Sequence, residues 1–105
     1  HNCRRWLIQI EGTVQGVGFR PFIYKLARDL NLSGHVYNHS DGVTLEAQGE
    51  ASALESLEKR ILAEAPPLAH IISMRHDEIE CGTDNSFAIV ESEKREGGLT
   101  LISPD

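Results

Sequence analysis

The stretch Glu11-Gly12-Thr13-Val14-Gln15-Gly16-Val17-Gly18-Phe19-Arg20-Pro21 constrains this chain more than any other part of it. It reads as the end of a strand, a loop carrying Gly12, Gly16 and Gly18, an arginine, and a proline able to open a helix. Glycine accepts positive φ and lets backbone N–H groups come close to an anion. A helix N-terminus adds unpaired donors and a favourable dipole. Proline at the first helical position gives up only an N–H without an intrahelical partner. It also disfavours helical geometry at Arg20, leaving that residue at the mouth of the loop. The pattern is a candidate oxyanion cradle. Its donors are the N–H groups of Gln15, Gly16, Val17, Gly18 and Phe19, and the guanidinium of Arg20 can grip a phosphate with two prongs. Glycine spacing alone, without the lysine of a nucleotide-binding P-loop, fits a tight strand-to-helix turn equally well.

The flanking periodicity supplies the strand and the helix that such a loop needs. Trp6, Ile8 and Ile10 alternate with Leu7, Gln9 and Glu11, which predicts a strand to about Val14. From Pro21 the period lengthens: Phe22, Leu26 and Leu30 share a helical face, with Ile23 and Ala27 beside them. Asn31 to Gly34 stops that helix with residues that accept left-handed geometry. A strand over His35–Asn38, turn chemistry at Asp41-Gly42 and a strand through Val43, Leu45 and Ala47 predict a hairpin. Ala51 to Ala65 reads as a second helix with a buried stripe of Leu54, Leu57, Ile61 and Ala65 and an exposed Glu55–Lys59 pair. Pro66-Pro67 ends it. Short strands follow around His70–Ile79 and Phe87–Glu91. The order β-α-β-β-α-β with one extra strand predicts an α+β, ferredoxin-like two-layer sandwich, an antiparallel sheet with two helices on one face. Residues 1–92 form that domain, and 93–105 read as a linker.

Composition narrows the function classes. A chain of 105 residues holds one modest core. Its net charge of −6 argues against a nucleic-acid surface, and makes any anion site a local positive spot built from few arginines and backbone donors. No apolar run reaches the length of a membrane span, and no signal peptide is visible. Cys3 and Cys81 are the two cysteines; one disulfide is possible, but two free thiols in a reducing cytosol are the expectation. No close Cys or His pairs of the zinc type occur, so no metal is expected. His35 and His39 are four residues apart, about 13 Å along a strand, too far to share an ion. His39 lies beside Asn38 as a solvated hairpin residue, and His70 and His76 read as ordinary strand residues. The chain opens on His1 rather than methionine, which suggests a fragment.

The string from Gly12 to Arg20 resembles the acylphosphatase signature G-x-V-Q-G-V-G-F-R at every fixed position. The family's second segment, a strand with an asparagine before a glycine turn, is matched by Gly34-His35-Val36-Tyr37-Asn38-His39-Ser40-Asp41-Gly42-Val43. The resemblance implies the ferredoxin-like fold, phosphate binding by Arg20 and the loop, and a catalytic Asn38 whose amide holds the attacking water. A neutral amide suffices, because an acyl phosphate carries a good leaving group and water needs alignment more than deprotonation. The run Gly18-Phe19-Arg20-Pro21-Phe22-Ile23-Tyr24-Lys25-Leu26-Ala27 is similar to the N-terminal domain of the HypF family, the hydrogenase-maturation carbamoyltransferases. Pro66-Pro67-Leu68-Ala69-His70-Ile71 and the ending Ile102-Ser103-Pro104-Asp105 resemble it too. That likeness implies cleavage of carbamoyl phosphate to carbamate and phosphate. Zinc and ATP would belong only to missing downstream domains, with a cysteine-bearing maturation protein as the eventual partner. A free-standing acylphosphatase and a non-catalytic ligand-sensing or interaction module on the same fold stand beside that reading.

Overall fold

In a computed structural model of the protein, residues 3–14 and 16–90 are described. The linker expected over 93–105 and the cradle residue Gln15 lie outside them. The elements are β1 (Arg4–Thr13), α1 (Phe19–Asp29), β2 (Ser33–His39), β3 (Gly42–Gly49), α2 (Ala51–Glu64), β4 (His70–Ile79) and β5 (Phe87–Ile89). The sheet runs β4-β1-β3-β2-β5. Four of its strands pair antiparallel, but β5 joins β2 in parallel, so the sheet is mixed rather than antiparallel throughout. A strand as short as β5 leaves little periodicity from which its direction can be read. The ferredoxin-like layer arrangement stands.

The core follows the strand alternation. Trp6, Ile8 and Ile10 of β1, Val36 of β2, and Val43, Leu45 and Ala47 of β3 are buried together with residues from both helices. The first helix presents Phe19, Ile23, Leu26 and Ala27 to this core, while Phe22 and Leu30 only pack at its margin. The apolar face is therefore centred one residue further round than the sequence suggests, because the helix begins at Phe19 and buries it. The second helix buries Leu54, Leu57 and Ile61 as expected, but Ala65, expected to complete that stripe, is the C-cap just past the last helical residue and is only partly buried. Its i,i+4 ion pair is Arg60–Glu64 at 3.0 Å, and no Glu55–Lys59 pair forms among the described residues.

Asn31, at φ 58, takes the left-handed geometry expected after the first helix. The opposite sheet face is polar. There Arg5, only 5% exposed, donates from Nε to Glu46 Oε1 at 2.8 Å and from a terminal nitrogen to Gln48 Oε1 at 2.9 Å. Asp84 approaches the same guanidinium at 3.5 Å. This network holds the connection between β4 and β5 against the sheet, with Gly82 N–H donating to Gln48 at 2.6 Å.

Candidate active site

Strand register decides where the two sequence motifs meet. Ile10 pairs with Val43, and Val43 pairs with Asn38, so the three lie in one row across the sheet. Two strand spacings, about 10 Å, separate the ends of the row. Both the exit of β1 into the glycine loop and the end of β2 therefore lie at the same end of the sheet's strands. The Gly12 N–H, donating to the Asp41 carbonyl at 3.1 Å, ties that exit to the β2–β3 turn.

The loop itself rests on two left-handed glycines. Gly16 and Gly18 have φ of 76° and 77°, and a side-chain carbon at either would meet nothing within 4 Å. The backbone there is bent as only glycine adopts freely, and space lies open beside it. Gly18 is the N-cap of α1 and contributes no side-chain cap, so the first-turn N–H groups have no acceptor from the cap residue's side chain.

Here the structure corrects the local expectation. Pro21 does not open the helix; Phe19 does, which makes Arg20 the second helical residue and Pro21 the third. A proline costs no helical hydrogen bond anywhere in that first turn, and the left-handed Gly18 starts the turn two residues earlier. Arg20 is thus helical and half-buried, and its position is fixed by the helix rather than by an extended backbone. Its guanidinium donates to the Val90 carbonyl at 3.4 Å, and no carboxylate among the described residues lies within ion-pair distance of it.

Asn38 shares the helix-side face of β2 with Val36 and is 8% exposed. Its Oδ1 is buried with no hydrogen-bond partner among the described residues. An amide oxygen removed from water without a partner costs stability, so such an atom signals a group awaiting a ligand or water.

The histidines are placed differently from expectation. His39 is partly buried and points away from Asn38, with Nε2 3.0 Å from Thr44 Oγ1 and Nδ1 accepting from the Asp41 N–H at 3.2 Å. An N–H donated to Nδ1 leaves the proton of the neutral ring on Nε2. Nor is His76 an ordinary strand residue. It stacks on Trp6 with ring centroids 3.8 Å apart and lies 2.6 Å from Glu58 of α2. The Val90 carbonyl was not signalled by the sequence at all, since backbone oxygens carry no residue-type mark. An open cleft of about 440 Å³ lies on the other face of β2, beside His35, Tyr37 and Ser86, and holds neither Arg20 nor Asn38. No group of three or more metal-ligating side chains occurs among the described residues. No described helix is long and apolar enough to cross a membrane.

The acylphosphatase family model matches residues 6–89, which takes in the loop, Arg20 and Asn38. The chain belongs to the acylphosphatase family. It is 38% identical over 84 residues to an acylphosphatase of Pseudothermotoga lettingae, covering 93% of that protein. It is 42% identical over 106 residues to carbamoyltransferase HypF2 of Cupriavidus necator, covering 93% of this chain and 13% of that one. Among solved structures, full-length HypF in a phosphate- and nucleotide-bound form superposes with a TM-score of 0.85 at 38% identity, over 99% of this chain and 14% of the other. An acylphosphatase from Coxiella burnetii gives 0.79 at 33% identity, over 85% and 94% of the two chains. The chain thus spans about an eighth of its carbamoyltransferase relatives and nearly all of the Pseudothermotoga lettingae and Coxiella burnetii acylphosphatases. It is an enzyme domain of acylphosphatase type, of the kind built into HypF carbamoyltransferases.

Proposed function

We propose that this domain hydrolyses carbamoyl phosphate to carbamate and phosphate as the first step of carbamoyl transfer by a longer HypF-type chain. The observation that carries the site assignment is the buried Oδ1 of Asn38, unpartnered among the described residues and lying in one row with Ile10, near the end of the strand that feeds the glycine loop. The backbone N–H groups of Gln15 to Phe19 and the guanidinium of Arg20 receive the phosphoryl oxygens. An amide oxygen is an acceptor, so a water donates one O–H to Asn38 and turns a lone pair toward phosphorus. Attack forms the new P–O bond as the bond to the carbamate oxygen breaks. The leaving carboxylate needs no proton, and the water's proton passes to phosphate oxygen or solvent. Arg20 and the loop meet the charge that builds on the equatorial oxygens.

No cofactor enters this step. In this reading residues 1–92 are the catalytic domain, and 93–105 lead toward domains that use zinc and ATP. Those domains hand the carbamoyl group to a cysteine-bearing partner in the maturation of nickel–iron hydrogenase, in the cytoplasm. The match to nearly the whole of the Pseudothermotoga lettingae acylphosphatase supports a second reading, hydrolysis of acyl phosphates in general.

Hydrolysis of carbamoyl phosphate and of a bulky aromatic acyl phosphate in ¹⁸O-labelled water separates the two. Label in phosphate, with preference for the carbamoyl substrate, is the expected result. Phosphate released without label overturns attack at phosphorus, and preference for the bulky substrate favours the general hydrolase.

A further inference from the structure

Cys3 and Cys81 lie far from the site just described, and nothing in its chemistry uses them. They are 78 positions apart in sequence, yet their Sγ atoms are 2.6 Å apart and both residues are exposed. Strand pairing explains the encounter independently of side-chain placement. The first strand pairs with the fourth as Arg5↔Ile79 and Trp6↔Glu78, and stepping one partner out on each strand past Arg4 and Glu80 brings Cys3 opposite Cys81. Directly opposed residues of an antiparallel pair have Cα atoms about 4.5–5.5 Å apart, inside the range that a disulfide spans.

We propose that Cys3 and Cys81 form an intramolecular disulfide that clasps the β4–β5 connection to the start of β1. One thiolate attacks a low-molecular-weight disulfide of the glutathione class, making a mixed disulfide and releasing one small thiol. The second cysteine's thiolate then attacks the protein sulfur of that intermediate, releasing the second small thiol and forming the Cys3–Cys81 bond. The protein gives up two electrons and two protons, and the small disulfide takes up both.

The connection so fastened is already the segment that Arg5 and Gln48 hold through Asp84 and Gly82. Beyond it the Ser86 carbonyl accepts from the Gly34 N–H at 3.0 Å, and β5 then leads to Val90, the residue after the strand, whose carbonyl meets Arg20. The bond would therefore lock the origin of a segment that ends at the candidate site. The hydrogen bond with Cys3 holds the Cys81 thiol above the ordinary thiol range, so closure quickens as pH rises. In a reducing compartment the pair rests as thiols and closes on oxidation.

The test equilibrates the native protein with reduced and oxidised glutathione, blocks remaining thiols and maps tryptic peptides without reduction. The expected product joins the peptide ending at Arg4 to the one running from His76 to Lys94. It should be accompanied by slower amide exchange over residues 80–86. In Cys3→Ser, Cys81 should instead accumulate as the stable glutathione adduct, because the resolving thiol is gone. Both cysteines alkylated at high oxidised glutathione would overturn the proposal. So would a wild-type Cys81 left as the glutathione adduct, or linked peptides with unchanged exchange over 80–86.

Discussion

The Arg20 guanidinium reaches the Val90 carbonyl at 3.4 Å, a long hydrogen bond from a half-buried cation to a neutral oxygen. A phosphate dianion in the adjacent loop is a far stronger acceptor and can be gripped by two N–H groups at once. Arg20→Ala is therefore expected to weaken phosphate binding and to lower kcat/KM by at least a hundredfold, on the scale of a charge-stabilising donor lost from a transition state. Arg20→Lys should recover binding only in part, since a point charge cannot replace the fork. Phosphate titration followed by amide shifts, alongside steady-state kinetics, checks both.

Asn38 should separate chemistry from binding. With its proposed partner a water, Asn38→Ala is expected to abolish most hydrolysis while phosphate affinity stays within a few-fold. It should also leave stability nearly unchanged, within about 1 kcal/mol, because the amide oxygen removed has no protein hydrogen-bond partner among the described residues. Denaturant melts and kinetics on the same samples decide the point. A large loss of stability with normal turnover would make the residue structural.

Gly18→Ala tests the loop backbone. The added carbon meets no atom within 4 Å, so the cost comes from the left-handed φ of 77° and should be about 1–2 kcal/mol. The same carbon intrudes on the open side of the cradle, and phosphate affinity should fall by more than stability does. Calorimetric titration beside thermal melts distinguishes the two effects.

The Arg60–Glu64 pair makes a pH prediction. A hydrogen bond from Arg60 holds the Glu64 carboxyl below the ordinary carboxylate range. A depressed folded value means that its contribution is present above the unfolded carboxylate range and is lost as pH falls through the folded value. Carbon-detected NMR titration should find Glu64 ionising below the ordinary carboxylate range, and Arg60→Ala should move it up.

Much of this was legible in the sequence because periodicity reports burial. The β1 alternation of Trp6, Ile8 and Ile10 and the Leu54, Leu57, Ile61 stripe of α2 are a strand and a helix as written. The motif likeness carried the site, since Arg20 and Asn38 are unremarkable residue types on their own. What stayed hidden is set by tertiary pairing. The direction of β5 depends on which edge accepts it, and the burial of Arg5 depends on Glu46, Gln48 and Asp84 closing round it. The start of α1 at Phe19 depended on a left-handed Gly18 outcompeting the proline two residues beyond Phe19.

Trp6 is the one tryptophan of the chain, and it lies face to face with His76 at the β1–β4 seam. The glycine loop follows the other end of β1, and Asn38 lies near that end across the intervening β3. Indole fluorescence is consequently a local gauge of one seam, blind by position to ligand entering the loop. A variant that loses phosphate binding but keeps the native emission spectrum has a damaged pocket and an intact scaffold, and a cuvette distinguishes the two before any enzyme assay is run.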